Sequence, residues 1–308
     1  MTAAGCLARP APGPRHIVVL ALRRSGTTAL WRLLRQDPRH SCYDEPFSPL
    51  LHRLPDNNAK GTWDEFIALR ARDPDLWSRH FAPVARAGEL HEVLTPDQAA
   101  YLRFLAADGP VVIDETRATA RLPAIRAALG DALFVHLFRH PVAFASSHMI
   151  ASQNPRALRQ HLHRTAFFRR PVYFDAWGME AFWRPALRAD THAWLAAEGV
   201  VPPAVRAPAV HKLLALWLAS YRRLERDGGR LGDAQFLSLD FEAFCAAPRR
   251  HLDDIYARAG RAPFSFDRAA LHPARPGYRA GDPRWRAAAV AVGFTAAELA
   301  RFFPTGAR

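Results

Sequence analysis

Lysine is almost missing from this chain: of its 42 lysine and arginine residues only Lys60 and Lys212 are lysine. The net charge of +13 and the sequence pI of about 10.8 therefore come from guanidinium. Planar guanidinium pairs bidentately with phosphate and sulfate, so the excess suits an anionic ligand, although a GC-rich genome produces the same bias. Placement has to decide. Cysteine is scarce as well: Cys6, Cys42 and Cys245 are odd in number and widely spaced. That excludes a disulfide framework and a metal quartet, and it points to a reducing, cytoplasmic compartment. No apolar run approaches the roughly 20 residues that cross a bilayer. The opening "MTAAGCLARPAPGPR" lacks the apolar centre of a signal peptide, and residues 1–15 are expected to be a disordered leader. The arginines are scattered and form no basic stripe interleaved with aromatics, which argues against nucleic acid as the partner.

What is present is a globular composition, 308 residues with 49% hydrophobic, and a recurring alternation of strand and helix signals. His16 to Leu22, "HIVVLAL", has the continuous β-branched and aliphatic character of a strand buried on both faces. Leu30, Leu33 and Leu34 then recur at helical spacing until Asp37-Pro38 stops the helix. Downstream, Gly109 to Asp114, Ala132 to Phe138 and Gln235 to Phe241 are further strands. Helices are expected over Leu122 to Leu129, ending at Gly130, and from Pro141 through Met149. Two more are expected over Leu213 to Leu224, capped by Gly228-Gly229, and around Leu252 to Tyr256. The pattern predicts an α/β fold: a single P-loop-like domain over residues 16–308 with a central parallel sheet flanked by helices. Leu51 to Ala107 and Gln153 to Ala209 interrupt it, and helical insertions of that kind cover the active site at the carboxyl ends of the strands.

The shortage of lysine returns at the first strand-to-helix turn. A phosphate-binding loop reads G-x-x-x-x-G-K-[ST]; here the frame is Ala21-Leu22-Arg23-Arg24-Ser25-Gly26-Thr27-Thr28, with Thr27 in the lysine position. Loop amides and the following helix N-terminus still make an anion site, and Arg24 supplies a cation ahead of the glycine. Such a loop favours binding a phosphate-bearing ligand over phosphoryl transfer from a nucleoside triphosphate. A second anion site is expected where Arg139 ends a strand and Ser147 stands two helical turns on. Two such sites on one sheet suit a ligand with anionic groups at both ends.

Together "RRSGTTALWRLLRQDP" and "ALFVHLFRHPVAFASS" resemble the two nucleotide-binding segments of the sulfotransferases that use 3′-phosphoadenosine 5′-phosphosulfate (PAPS), nearest to bacterial and carbohydrate- or tyrosyl-type members. "FLSLDFEAFCAAPRRHLDDIYARAG" is similar to a strand and helix near the family's C-terminus. The resemblance implies that Arg24, Ser25, Gly26, Thr27 and Thr28 grip the 5′-phosphosulfate, and that Arg139 and Ser147 hold the 3′-phosphate. It implies PAPS as co-substrate, no metal, and a small-molecule, carbohydrate or peptide acceptor. By the same resemblance the general base is Glu45 in "SCYDEPFSPL", with Asp44 the near alternative, and Arg24 stabilises the leaving phosphate. Three positions depart from the family pattern. His140 replaces the usual Asp; Glu115 of "IDETR" stands where many relatives carry lysine, with Arg117 a candidate substitute; and Arg275 to Trp285 only loosely matches the segment that covers the 3′-phosphate.

Other features have ordinary explanations. His148 is expected on a helix surface, His161 and His163 lack a third metal ligand, and Phe167, Phe168, Trp177, Phe182 and Trp183 suit either lid packing or an acceptor pocket. Trp217 and Tyr221, one helical turn apart, suit a core. The rival functions are a magnesium-dependent P-loop kinase of small molecules, since Asp114 and Asp240 follow strands, and a degenerate relative that binds nucleotide without catalysis.

Overall fold

Five runs of aliphatic and β-branched residues assemble into one sheet in the computed structural model, which describes residues 15–54, 56, 58, 61–149, 168–169, 178–267 and 282–304. They are β1 (His16–Leu20), β2 (Ser41–Asp44), β3 (Val111–Glu115), β4 (Ala132–Phe138) and β5 (Phe236–Asp240). All pair in parallel, in the order β2-β3-β1-β4-β5. The sequence pattern foresaw every strand except β2, whose four residues, Ser-Cys-Tyr-Asp, are too short and too polar at both ends to show an apolar run.

The strand period of two sorts the core. Val18 and Leu20 of β1 face a cluster with Ile113, Phe134, Phe66, Trp77 and Tyr101. Ile17 and Val19 face the opposite cluster with Leu30, Trp31, Leu252 and Ile255. The helices on these layers begin with α1 (Thr27–Leu34), α2 (Asp64–Arg72), α3 (Pro74–His80), α4 (Pro96–Leu105), α5 (Leu122–Leu129) and α6 (Pro141–Met149). They continue with α7 (Pro185–Ala197), α8 (Ala209–Gly229), α9 (Phe241–Ala246), α10 (Pro248–Arg258), α11 (Pro283–Ala291) and α12 (Ala296–Phe302). A third cluster joins α6, α7, α8, α11 and α12; there Trp217 and Tyr221 stack 5.0 Å apart, as core residues one turn apart should.

The helix that leaves β1 packs on one face of the sheet, and α5, which follows β3, packs on the other. Adjacent strands whose chains depart to opposite faces open a crevice at their carboxyl ends, the ligand-binding edge of such sheets. Two expectations need correction. Gly228 and Gly229 lie inside the last turn of α8 and do not cap it; Gly228 is required because a Cβ there would run into the Phe236 ring. His148 is 1% exposed, with its ring against Phe144 at 4.8 Å, so it is a core residue of α6 and not a surface one. Residues 1–14 of the expected leader, Lys60, Cys6, His161, His163, Phe167, Trp177 and most of Arg275 to Trp285 lie outside the described residues.

Candidate active site

The loop after β1 turns in the left-handed region twice, at Arg24 (φ 73°) and at Gly26 (φ 98°). Gly26 is the N-cap of α1, and a Cβ there would run into the ring of Phe241, so glycine is required by both conformation and space. Ala29 and Leu30 are the first residues of α1 to donate to the Gly26 carbonyl, which leaves the amides before them at the positive end of the helix. Ser25 and Thr27 are buried in the turn and Thr28 is half-buried.

Arg139 follows β4 and folds back over this loop. Its guanidinium donates to the Arg24 carbonyl at 3.3 Å, lies 3.5 Å from the Glu242 carboxylate and sits over the Phe241 ring, 5.6 Å from its centroid. Burial and the neighbouring charge of Arg139 both lower the pKa of Arg24. Arg139 thus reaches the backbone of the loop that carries Arg24 while keeping Glu242 as its own counter-charge. His140 occupies the turn: its amide donates to Glu242 at 2.9 Å and its Nε2 pairs with the Phe302 carbonyl at 2.9 Å. Its Nδ1 accepts the Val142 amide at 3.2 Å, a side-chain bond to the first turn of α6 of the kind an aspartate at a helix start makes. Ser147 is brought less clearly to the site, since its hydroxyl donates to the Phe144 carbonyl of its own helix at 2.7 Å.

Glu45 follows β2 at the same edge. Its amide donates to the Asp114 carbonyl at 2.7 Å, which prolongs the β2–β3 pairing by one residue, and its own backbone is left-handed (φ 50°). Among the described residues Arg24 and Glu45 are the non-glycine positions with positive φ, and such strain concentrates at functional sites. The Thr116 hydroxyl donates to one carboxylate oxygen of Glu45 at 2.8 Å, and the Arg117 guanidinium lies 3.5 Å from the other. Asp44, the alternative base, is buried and in register with fully buried Asp114. Burial and the charges of Asp44, Glu45 and Glu115 push Asp114 well above the usual carboxylate range.

Glu115 does not point a charge at the ligand edge. It is fully buried, and its two oxygens accept the amides of Phe47 at 3.0 Å and Arg117 at 2.6 Å. It ties the loop that carries Glu45 to the loop that carries Arg117. The Arg117 side chain bridges Glu45 and Glu89. Glu89 also takes Arg23 through two bonds, 2.7 and 2.9 Å, and Arg86 at 2.9 Å. Burial opposes the charge of Arg23, but Glu89 together with Glu45 and Glu115 raises the Arg23 pKa. The run Arg23, Glu89, Arg117, Glu45 connects the loop after β1 to the carboxylate that follows β2.

Sequence reasoning missed Thr116, Phe241 and Glu242, although they lie in segments it singled out. Glu89 had no readable signal, because it sits in the first insertion with no motif around it. Among the described residues no group of three or more His, Cys, Asp and Glu could hold a metal ion, and no helix is long and apolar enough to cross a membrane.

The α/β sheet carries at its carboxyl edge a glycine-dependent loop, Arg139 beside that loop and Glu45 two strands away. A family model described as "Sulfotransferase family" matches residues 14–194, more than half of the chain, and the chain belongs to that family. It is similar to the sulfotransferase domain of the Synechococcus PCC 7002 olefin synthase, at 18% identity over 90% of this chain and 82% of that one, with a TM-score of 0.44. Similarity extends to a sulfotransferase from Alicyclobacillus acidocaldarius, at 18% identity over 95% of both chains and a TM-score of 0.43. For a sulfotransferase from Mycobacterium tuberculosis the identity is 19% over 83% of this chain and 73% of that one, with a TM-score of 0.41. No curated protein sequence matches.

Proposed function

We propose that the protein transfers the sulfuryl group of PAPS to a hydroxyl or amine of a small-molecule, carbohydrate or peptide acceptor, without a metal, as a single domain spanning residues 16–308 of a cytoplasmic enzyme. Membership of the sulfotransferase family supports the reaction class. The observation that supports the donor is that Arg139, from the strand next to β1, folds onto the glycine-dependent loop that carries Arg24 and donates to that loop's backbone. Arg24, with Ser25, Gly26, Thr27 and Thr28, takes the 5′-phosphosulfate; Arg139, with Ser147, takes the 3′-phosphate.

The chemistry is an in-line displacement at sulfur. The acceptor oxygen or nitrogen forms a bond to sulfur, and the bond from sulfur to the 5′-phosphate oxygen breaks. Glu45 removes the acceptor's proton, and Thr116 and Arg117 orient its carboxylate. Negative charge gathers on the departing phosphate oxygen, where Arg24 stabilises it. A positioned donor at developing charge contributes about 3 to 4 kcal/mol, and a general base about 10²- to 10⁴-fold.

Thermal shift with 3′-phosphoadenosine 5′-phosphate, ATP with magnesium, and an oligonucleotide tests the donor. At about 100 times its dissociation constant the bisphosphate adds roughly 2.7 kcal/mol to the stability of the native protein. That shift is expected in wild type and absent in Arg139→Ala; stabilisation by ATP with magnesium alone would refute the proposal. Glu45→Gln should keep the bisphosphate shift and lose transfer of sulfur-labelled sulfuryl groups to acceptors that wild type modifies. Full transfer by that variant removes Glu45 from the mechanism.

A further inference from the structure

The two anion sites are built on neighbouring strands, and one side chain from a third strand's helix lies between them. Phe241 is the first residue of α9, and its ring is 5% exposed. One part of the ring packs on the bare Cα of Gly26, so closely that no Cβ would fit. The guanidinium of Arg139 lies over the same ring, 5.6 Å from its centroid, within cation–π range. The next residue, Glu242, holds Arg139 from the side at 3.5 Å and the His140 amide at 2.9 Å. Asp240, the residue before, fixes the start of α9 by accepting the Ala243 amide at 2.9 Å. The ring therefore has a rigid mount and touches both sites at once.

We propose that Phe241 is the spacer that sets the separation of the two anion sites, and that it thereby selects a nucleotide phosphorylated at both its 3′ and 5′ positions over a monophosphate. This rests on the proposed PAPS site. A ligand gripped at two ends gains affinity from the second grip only if both are reached together, and loses that gain when the spacing is wrong. Without the ring, Arg139 keeps Glu242 and the Arg24 carbonyl as anchors but loses the surface that holds it at a fixed height above the loop. Phe241 is a positioning residue, and its effect passes through Arg139.

Calorimetric titration of the full chain with 3′-phosphoadenosine 5′-phosphate and with 5′-AMP tests this in wild type, Phe241→Ala, Phe241→Met, Arg139→Ala and the Phe241→Ala/Arg139→Ala double variant. The ratio of the two affinities is expected to fall about tenfold in Phe241→Ala, with 5′-AMP affinity changed less than about threefold, and to be largely restored by the longer methionine. In the Arg139→Ala background, removing the ring should change bisphosphate affinity no further, because the two residues act as one unit. Phe241→Met also keeps the test open if the alanine variant does not fold. An unchanged ratio in the folded variants, or an equal loss for both ligands, overturns the spacer and leaves the PAPS site standing. Wild type that binds no bisphosphate overturns both.

Discussion

Glu115 departs most from the family pattern at the scale of single residues, and its environment gives that departure a measurable consequence. Burial and the charge of Glu45 raise its pKa from the ordinary 4.5 to about 7, against the opposing pull of Arg117 and two backbone amides. Between those values the folded chain keeps a proton that the unfolded chain has released. Stability contributed by this group is thus present at low pH and is lost as pH rises towards 7, by on the order of 3 kcal/mol. Urea unfolding at pH 5 and pH 8 should show Glu115→Gln gaining on wild type between the two, because glutamine does not titrate. An equal difference at both pH values would contradict it. The sequence identified Glu115 as anomalous, but its Phe47 amide partner lies 68 positions away and is brought near by the β2–β3 pairing.

Secondary-structure elements differed in how much of themselves they announced. β1, β3 and β4 are nearly continuous apolar runs because both faces are covered, whereas β2 holds its place as the edge partner of β3 despite its polar ends. The first insertion looked unreadable, yet it carries ordinary helix starts: Asp73 before Pro74 caps α3, and Thr95 with Gln98 forms a capping box on α4. What those signals could not give is where the insertion meets the site. Glu89 makes that junction, binding Arg23 of the anion loop and Arg117 of the β3 loop in a largely buried cluster. Glu89→Ala strands the buried Arg23 guanidinium without its counter-charge and leaves Arg117 with Glu45 alone, and should cost about 3 to 5 kcal/mol of unfolding free energy, measured by urea titration. A loss below about 1 kcal/mol would mean that the insertion is held by its apolar contacts alone.

For the molecule as a whole, the arginine excess that opened the sequence divides into different uses. Arg35, Arg222, Arg223 and Arg226 form ion pairs with carboxylates outside the candidate site, Arg23 and Arg117 share Glu89 beside it, and Arg139 donates to the backbone of the loop that carries Arg24. Composition could not separate these uses, because charge carries no address. By itself the sequence determined the alternating α/β pattern, the displaced cation ahead of Gly26 and the pairing of a loop with a downstream arginine; these depend on periodicity, turn chemistry and motif spacing within short segments. Tertiary structure alone decided that Glu89 reaches Arg23 across 66 positions, that Arg117 arrives beside Glu45, and that Phe241 fills the space between Gly26 and Arg139. A parallel sheet joins its strands by crossovers, so residues that meet at its carboxyl edge are set by strand order and not by distance along the chain.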